Sequence, residues 1–287
     1  MRLSFRPSPI VRAAAIAVLA LGLGGFTSLE SLFAPGARLW ERWTAHDPAA
    51  TAVIDHAAWD RLLQAYVVPG EDGVNRFAYA KVGAADRAAL TRYIDSLAAV
   101  PISRYARPQQ LAYWINLYNA LTVRVVLDHY PVESIRDIDI SPGLFASGPW
   151  DKKLVTIESQ AVSLNDIEHR ILRPIWHDPR IHYAVNCASI GCPNLRAQAY
   201  TAAGIEGALE AAATAYVNDP RGWRVEGGRL IASSIYTWFG EDFGGEAGAL
   251  AHLKRYSRPE RQAELGRFAE ISGYAYDWSL NAAPAAP

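Results

Sequence analysis

The sequence predicts an α+β fold: a helix-rich single domain built around a buried central helix at about residues 108–130, with a small, mainly antiparallel sheet. The helix is predicted because its residues are apolar on nearly every side, which is typical of a helix enclosed by its domain. The sheet is indicated by two β-rich runs over residues 223–232 that flank Gly227-Gly228, a strong hairpin signal. Because strands and helices do not alternate regularly, a parallel βαβ architecture is not expected.

The N-terminus resembles a secretory leader. Arg2, Arg6 and Arg12 precede an apolar run that is shorter than the roughly 20 residues of a spanning helix. A periplasmic or secreted protein is therefore expected, held at the membrane only if this segment stays uncleaved. The chain is predicted to comprise a signal-peptide-like or anchor segment (1–28), a linker or N-terminal arm (29–52), a single globular domain (53–282) and a disordered tail (283–287).

The first elements of the domain are predicted from apolar spacing and from residues typical of helix ends. A helix is expected over residues 53–66, followed by a short strand at residues 76–79. Asp86 is expected to cap the next helix, in which apolar residues recur at helical spacing over residues 90–97. Pro108 then opens the central helix, since proline is common in the first turn.

The middle of the chain predicts one further helix between two strands. A strand is expected at residues 153–157. Ser163 is expected to cap a helix over residues 164–172, which Pro174 ends. Residues 180–187 are predicted to form a strand that runs out into a tight polar loop, and such loops commonly carry functional groups.

Composition excludes some classes of partner. The formal net charge is −1, and 51% of the residues are apolar. Such a chain has no strong positive field that would attract nucleic acid, and none is expected as a partner. The expected ligand is a small molecule, a peptide or a glycan, and contact with a membrane is expected only through the N-terminal segment.

The two cysteines, Cys187 and Cys192, lie in the loop after the predicted strand. Export to an oxidising compartment favours a disulfide between them, which would stiffen the loop. The alternative is that Cys187 acts as a thiolate nucleophile activated by a histidine. A third possibility is zinc, bound by His182, His169 and one or both sulfur atoms, with or without a carboxylate of Asp166 or Glu168. No cofactor is otherwise predicted.

Two histidines are candidate bases for this loop. In a strand His182 and Asn186 would share one face and Cys187 would lie on the other, so the strand must bend or end near Asn186 for His182 to reach Cys187. His169, from the preceding helix, is the second candidate. The predicted catalytic residues are therefore His182, His169, Glu168 and Cys187.

Polar residues with a predicted binding role surround this site. Asn116 and Asn119 lie one turn apart in the central helix, and buried amides need hydrogen-bond partners. They are expected to tie a loop or strand to the helix. Asn186 and Arg173 complete the predicted binding set. Asp166 also has a purely structural interpretation, as the partner of Arg170 one helical turn away.

Five segments together resemble the domain-of-unknown-function family 547. They are Tyr113–Ala120, Ser163–His169, Arg180–Ala184 with the two cysteines that follow, Glu241–Phe243 and Asp277–Asn281. The resemblance covers roughly residues 55–281. It implies that a recurring set of residues belongs to the family motifs, although the family has no assigned activity and its bacterial members often look exported. That set is Asn116, Asn119, Glu168, His169, His182, Cys187 and Cys192.

Two hypotheses follow from the sequence. The first is an exported hydrolase or transferase that acts on an envelope or extracellular substrate through the predicted histidine, glutamate and cysteine residues. The alternative is a non-catalytic envelope binding or assembly module with a structural Cys187–Cys192 disulfide.

Overall fold

The computed structural model describes residues 35–143 and 148–284. The predicted leader and the last residues of the predicted tail lie outside the described residues. Within the described residues the α+β prediction is confirmed, because helices surround one long buried helix and the short strands pair in three small sheets. No helix of the described ranges is long and apolar enough to cross a bilayer.

The helices and strands are named here in chain order. The α-helices of the described residues are α1 Ala57–Tyr66, α2 Ala84–Ala98, α3 Arg107–His129, α4 Arg173–Trp176, α5 Ile205–Val217, α6 Ile235–Trp238, α7 Gly240–Phe243, α8 Gly245–Tyr256 and α9 Pro259–Leu265. The strands are β1 Val67–Pro69, β2 Asn75–Phe77, β3 Val155–Ile157, β4 Gln160–Val162, β5 Trp223–Glu226, β6 Arg229–Ser233 and β7 Gly273–Ala275.

Helix α3 is the predicted central helix. Every residue from Gln110 to Leu127 is buried except Arg124, which is half-buried. Trp43, from the segment before the domain, packs edge-on against Trp114 of this helix with ring centroids 5.0 Å apart. The apolar surface all round α3 therefore contacts protein on every side, as the sequence predicted.

The predicted hairpin is confirmed as β5 and β6. The strands pair antiparallel from Trp223 opposite Ala232 to Glu226 opposite Arg229. Gly227 and Gly228 form the turn with φ angles of 56° and 77°, which glycine adopts without steric cost. β7 adds to β6 in parallel, while β1–β2 and β3–β4 are separate antiparallel pairs.

The predicted strand over residues 180–187 is wrong. Residues Pro179–Tyr183 form a 3₁₀ helix instead, and the chain then continues as an irregular loop. Pro179 suits the first turn of a helix, and the Asp178 side chain accepts a hydrogen bond from the Arg180 N–H. The argument that alternation places His182 and Cys187 on opposite faces of a strand therefore does not apply.

The prediction that Pro174 ends its helix is also wrong. The helix widens into a π-helix over Asp166–Leu172 and continues through Pro174 as α4. Proline has no N–H and its ring clashes with the carbonyl four residues earlier, so a regular α-helix cannot pass this point undistorted. The carbonyls of His169 and Arg170 accept hydrogen bonds from the Arg38 and Trp40 N–H groups.

Smaller differences concern where elements begin. α1 begins at Ala57, because the Asp55 carboxylate accepts a hydrogen bond from the Ala57 N–H. Asp86 lies inside α2 and accepts a hydrogen bond from the Tyr66 hydroxyl instead of capping the helix. β2 ends at Phe77, two residues before the predicted end of its strand.

Two apolar clusters meet at the 3₁₀ helix Pro179–Tyr183. One cluster surrounds α3, and the other lies between the β5–β6–β7 sheet and helices α5 to α9. Ile181 packs in the first and Tyr183 in the second. His182 lies between these two residues in the chain and stacks on Phe239 of the second region. The candidate site is thus built where the two halves of the core join.

Candidate functional site

A network of charged side chains, called here the charge cluster, joins the π-helix to the 3₁₀ helix and to α7. The π-helix and the residue after it carry buried polar side chains, the 3₁₀ helix carries His182, and α7 supplies two carboxylates from the opposite side. The charge cluster consists of Glu168, His169, Arg173, His182, Glu241 and Asp242.

Arg173 is the centre of the charge cluster. Its side chain is only 1% exposed. Its Nε atom donates to Asp242 Oδ2 at 2.6 Å, and its Nη2 atom donates to Glu241 Oε1 at 2.7 Å. The remaining nitrogen, Nη1, donates to His169 Nδ1 at 3.0 Å and to the Pro35 carbonyl at 2.7 Å. All three nitrogen atoms therefore have partners, as a buried guanidinium requires.

His182 is held between two carboxylates. Its Nε2 lies 2.6 Å from Asp242 Oδ2, and its Nδ1 lies 3.6 Å from Glu168 Oε1. The imidazole also stacks on the Phe239 ring, with centroids 4.3 Å apart and planes 8° from parallel. The ring is fixed in position on its edges and on one face.

Burial and charge oppose each other in the pKa values of this cluster. Burial alone would lower the pKa of His182, but its hydrogen bond to Asp242 and the negative charges of Asp242 and Glu168 raise it. Burial would raise the pKa of the Glu168 and Asp242 carboxyls. The neighbouring His169, His182 and Arg173 instead lower the pKa of Glu168 to about 2. Hydrogen bonds from His182 and Arg173 lower the pKa of Asp242 to about 2 as well. Burial lowers the pKa of His169 to about 4.

These protonation states favour a structural role for both histidines. When His182 is protonated, its Nε2 donates to Asp242 and its Nδ1 faces the Glu168 carboxylate, so no lone pair is left to accept a proton. His169 stays neutral and accepts a hydrogen bond from Arg173 through Nδ1. The structure thus brings three predicted site residues together, His182, His169 and Glu168, and adds predicted binding residue Arg173 to them.

The two cysteines form a second feature, called here the thiol pair. Both are free thiols, and their sulfur atoms lie 3.2 Å apart. That separation exceeds the roughly 2.05 Å of a disulfide bond, so the bond predicted from the sequence is not formed in this structure. The Cys187 N–H also points to Cys192 Sγ at 3.1 Å.

The two thiols differ in exposure and in acidity. Cys187 is half-buried and Cys192 is buried. A hydrogen bond from Cys192 lowers the pKa of Cys187, assisted by Ser189 and Tyr276, although burial opposes this. Burial raises the pKa of Cys192 well above its usual value, and the neighbouring Cys187 raises it further. Cys187, whose sulfur is the more accessible, therefore forms the thiolate more readily than Cys192.

Two further side chains contact Cys187. The Tyr276 hydroxyl lies 3.0 Å from Cys187 Sγ, and the Ser189 hydroxyl lies 3.2 Å from it and 2.9 Å from Tyr276. Burial keeps the pKa of Tyr276 well above its usual value, so the phenol stays protonated and can donate to a thiolate. Among the described residues, no histidine is hydrogen-bonded to Cys187 Sγ.

The asparagines tie the loop to the central helix, as predicted. Asn119 donates to the Ala184 carbonyl and accepts from the Asn186 N–H, and Asn116 makes the same pair of bonds to the backbone of Tyr200. Asn186 then donates to the Pro193 carbonyl, across the base of the cysteine loop. Asn119 and Asn186 thus position the cysteine loop through backbone contacts, while Asn116 holds the chain further on, at Tyr200.

Sequence reasoning missed Tyr276 and the role of its neighbours. The C-terminal segment crosses the cysteine loop, where the Gly191 N–H donates to the Asp277 carbonyl at 2.8 Å. A side chain at Gly191 would approach the Asp277 N and O atoms to within 3 Å, so only glycine allows this contact. A glycine between the cysteines was the available signal that another backbone passes close to the loop.

Zinc binding stays a prediction from the sequence. In the parts of the chain that the structure describes, no three His, Cys, Asp or Glu side chains are grouped as a metal site. Asp166, one of the candidate ligands, instead caps its helix with Ser163 and pairs with Lys153 and with Arg170, the latter at 2.9 Å. The predicted pairing of Asp166 with Arg170 is confirmed.

The histidine pKa values predict a steep loss of stability in mild acid. Burial lowers the pKa of His56, His169 and His252 from 6.5 to about 4 in the folded protein. Between those pH values the unfolded chain binds more protons than the folded one, so stability falls as the pH falls. One pKa unit corresponds to about 1.4 kcal/mol, which makes the combined loss several kcal/mol.

The carboxyls and His182 shape the rest of this pH profile. Glu168 and Asp242 contribute stability that is present above their unfolded pKa values of 4.5 and 3.8 and is lost as the pH falls towards 2. His182 has the opposite pH dependence. Its contribution to stability is fully present below pH 6.5, its unfolded pKa, and is lost as the pH rises through its raised pKa in the folded protein. Maximum stability is expected near neutral pH.

Urea unfolding followed by tryptophan fluorescence between pH 7.5 and pH 4.5 measures this profile. His252→Gln should reduce the slope between pH 6.5 and 4.5, whereas His46→Gln, at an exposed histidine, should leave it unchanged. A free energy of unfolding that stays constant across this range in the parent protein would contradict the prediction.

Comparison with known proteins identifies a family over the part of the chain that holds most of this site. Residues 102–217 match the family model described as "Protein of unknown function, DUF547". This segment includes α3, the π-helix, His182 and the thiol pair, but neither α7 nor Tyr276. No curated protein and no solved structure gives a significant match to the chain.

Proposed function

We propose, from the geometry of the site, that this protein is a thiol-dependent enzyme in which Cys187 and Cys192 exchange electrons with a disulfide substrate. The DUF547 family that its residues 102–217 match has no known function. The observation that carries this proposal is the 3.2 Å contact between a half-buried and a buried sulfur atom. An accessible nucleophilic thiol beside a second, resolving thiol is the arrangement that thiol–disulfide exchange needs.

The reaction proceeds in two exchanges. The Cys187 thiolate attacks one sulfur of the substrate disulfide, which forms a mixed disulfide and releases the other substrate sulfur as a thiolate. Cys192 then loses its proton and attacks Cys187 Sγ, which forms the intramolecular disulfide and releases the second substrate thiolate. The substrate gains two electrons and two protons, and the protein dithiol loses them. An external thiol or dithiol restores the reduced protein.

The surroundings of the thiol pair suit both steps. Tyr276 donates a hydrogen bond to the Cys187 thiolate, which favours its formation. The buried Cys192 is held close by the Cys187 N–H, so the two sulfur atoms need to approach by only about 1 Å to bond. The bonds from Asn119 and Asn186 hold both ends of the loop while it changes redox state.

A hydrolase or transferase that uses Cys187 against an acyl carbon is the second candidate, as the sequence suggested. The half-buried position of Cys187 and the adjacent Tyr276 phenol favour it, since a phenol can stabilise negative charge that develops on a substrate oxygen. Such a reaction normally uses a histidine in contact with the thiol. The contacts of His182 with Asp242 and Glu168 make this candidate the weaker one.

Export fits the proposed activity. The N-terminal pattern of arginines followed by an apolar run indicates transfer to an oxidising compartment, where thiol–disulfide exchange has substrates. We therefore place the proposed reaction in the periplasm or outside the cell, with a cysteine-containing peptide or protein, or a small disulfide, as substrate.

A redox titration tests the proposal. The protein is equilibrated in glutathione buffers of stepwise potential, and its free thiols and intact mass are measured after acid quenching. We expect one two-electron transition in which both thiols disappear together and the mass decreases by two hydrogens. The protein should also reduce oxidised glutathione, and Cys187→Ser should abolish this reaction while the variant stays folded by circular dichroism.

Other outcomes identify the competing functions. Turnover of thioesters or esters that requires Cys187 but not Cys192 would overturn the redox proposal and support the acyl-transfer enzyme. A disulfide that forms but is not reduced by glutathione, together with a large fall in melting temperature for both cysteine variants, would overturn it in favour of a structural staple in a non-catalytic module.

A further inference from the structure

One end of the cysteine loop, called here the resolving segment, consists of Ile190, Gly191 and Cys192. It belongs to no helix or strand. Its first two N–H groups nevertheless donate to the carbonyls of Ser279 and Asp277, both at 2.8 Å, and the Cys192 N–H donates within the loop at 3.2 Å. Each N–H group of the resolving segment therefore has an acceptor, and two of the three acceptors belong to the C-terminal segment of the chain.

Two side chains bind the carbonyls of the resolving segment. Arg221 Nη1 donates to the Ile190 carbonyl at 3.1 Å and to the Cys192 carbonyl at 3.0 Å. The Tyr216 hydroxyl donates to the Gly191 carbonyl, which lies between them in the chain, at 2.7 Å. Every backbone N–H and C=O group of the segment is thus hydrogen-bonded, as in a helix or a sheet. The backbone that carries Cys192 is therefore fixed mainly by groups outside the loop.

Arg221 is itself held in place by Asp219. The two side chains are only 13% and 11% exposed. Nε donates to Asp219 Oδ1 at 2.8 Å, and Nη2 donates to Asp219 Oδ2 at 3.0 Å and to Asn194 Oδ1 at 3.1 Å. With the two bonds of Nη1, all five N–H groups of the guanidinium have acceptors. Because Asp219 neutralises its charge, Arg221 acts on the loop chiefly by fixing the position of two carbonyls.

The contacts of Arg221 reach only one side of the thiol pair. Among the described residues, Cys187 Sγ is hydrogen-bonded to Ser189, Tyr276 and Cys192, and none of these bonds involves Arg221. The two exchanges of the proposed reaction differ in the same way, since the first uses only the Cys187 sulfur and the second also requires that of Cys192. Loss of Arg221 is therefore expected to affect the two exchanges unequally.

We propose that Arg221 is a positioning residue for the second exchange, in which it holds the Cys192 backbone so that the resolving sulfur faces Cys187. This role rests on the thiol–disulfide exchange proposed above. In the second exchange the Cys192 thiolate bonds to Cys187 Sγ, the bond between Cys187 and the substrate sulfur breaks, and the substrate leaves as a thiolate. The substrate disulfide is the oxidant and takes both electrons.

The bonds from Arg221 also favour the intramolecular disulfide over the dithiol. A disulfide constrains a short loop by itself, whereas the dithiol loop depends on its hydrogen bonds. Without Arg221 the dithiol therefore gains more conformational freedom than the disulfide does, which makes the disulfide harder to form. Loss of Arg221 should slow the second exchange and raise the reduction potential of the thiol pair.

Time-resolved reaction of the full-length protein with oxidised glutathione tests this role. Samples are quenched with acid, and intact mass spectrometry measures the dithiol, the glutathione adduct and the intramolecular disulfide. In Arg221→Met we expect the adduct to resolve at least about tenfold more slowly, because two charge-assisted hydrogen bonds are lost. The attack by Cys187 should change by less than about twofold, since its contacts remain. At equilibrium in glutathione buffers the disulfide should be about tenfold less favoured, a rise of about 30 mV in reduction potential.

Three further variants make the result specific. Arg224→Met removes an arginine whose side chain is hydrogen-bonded to Glu226 and should behave as the parent does. Arg221→Lys keeps a donor for one of the two carbonyls and should resolve the adduct at an intermediate rate. The double variant Asp219→Asn with Arg221→Met leaves no unpaired carboxylate, so it keeps the test valid if the single variant unfolds, and it should show the same slow resolution. Circular dichroism measures the melting temperature of each protein.

Each remaining outcome has a definite meaning. If the parent forms the disulfide and the adduct resolves as fast in Arg221→Met and in the double variant as in Arg224→Met, Arg221 has no positioning role, although the proposed function stands. Equal slowing of both exchanges would also overturn the proposal, because Arg221 would then support the loop as a whole. A parent protein that forms neither adduct nor disulfide would remove the proposed function and this role together.

Discussion

Replacing Cys192 with serine is expected to convert a short-lived intermediate into a stable mixed disulfide between Cys187 and the substrate. Cys187 keeps Ser189 and Tyr276 as neighbours in this variant, so it still attacks a disulfide. The resolving sulfur, 3.2 Å away in the parent protein, is absent, and serine cannot displace the bound thiol. Incubation with oxidised glutathione followed by intact mass spectrometry should show an adduct on nearly every molecule.

The controls separate the two sulfur atoms. The parent protein should show the intramolecular disulfide and no lasting adduct. Cys187→Ser should show neither, because Cys192 is buried and its pKa is raised well above the usual value. An adduct on Cys192 in the Cys187→Ser protein, at a rate equal to that of Cys187 in Cys192→Ser, would show that the two thiols are equivalent and would contradict the assigned roles.

Removing the charge of Arg173 is expected to destabilise the protein by about 3–5 kcal/mol, the usual cost of breaking a buried ion pair from one side. Arg173→Met fills similar space but leaves Asp242 without its guanidinium partner and the Pro35 carbonyl without its donor. The salt bridge to Glu241 contributes little to this loss, since that carboxylate is 58% exposed. Urea unfolding at neutral pH measures the difference.

Arg170→Met is the matched control, because it removes an arginine from the same helical segment. The Arg170 side chain is 42% exposed and pairs with Asp166, so its loss should cost no more than about 1 kcal/mol. Equal destabilisation by the two variants would show that Arg173 is no more important to the fold than a surface arginine. A loss confined to Arg173→Met would confirm that the charge cluster holds α7 to the π-helix.

Local signals in the sequence predicted the elements that depend mainly on their own residues. The central helix was predicted within about one residue of both ends because an all-round apolar surface requires a buried helix. The β5–β6 hairpin was predicted because Gly-Gly supplies the positive φ angles of its turn. In both cases the residues that decide the conformation lie next to one another in the chain.

Predictions failed where a distant segment completes the local structure. Pro174 normally indicates a helix end, but the N–H groups of Arg38 and Trp40 satisfy the carbonyls of His169 and Arg170. The apolar run around residues 181–185 suggested a strand, yet no strand of the described residues pairs with it. These residues bury their apolar side chains in two core clusters from a 3₁₀ helix instead.

The sequence by itself determined the fold class, the central helix, the family resemblance and the set of residues worth examining. Their types and motif order do not depend on how the chain folds. Only the tertiary structure decided how these residues combine. It placed His182 between Asp242 and Glu168, and it brought Tyr276 to Cys187 from 89 residues away. The physical reason is that hydrogen bonds and charge interactions act over a few ångströms in space, a proximity that residue spacing along the chain does not specify.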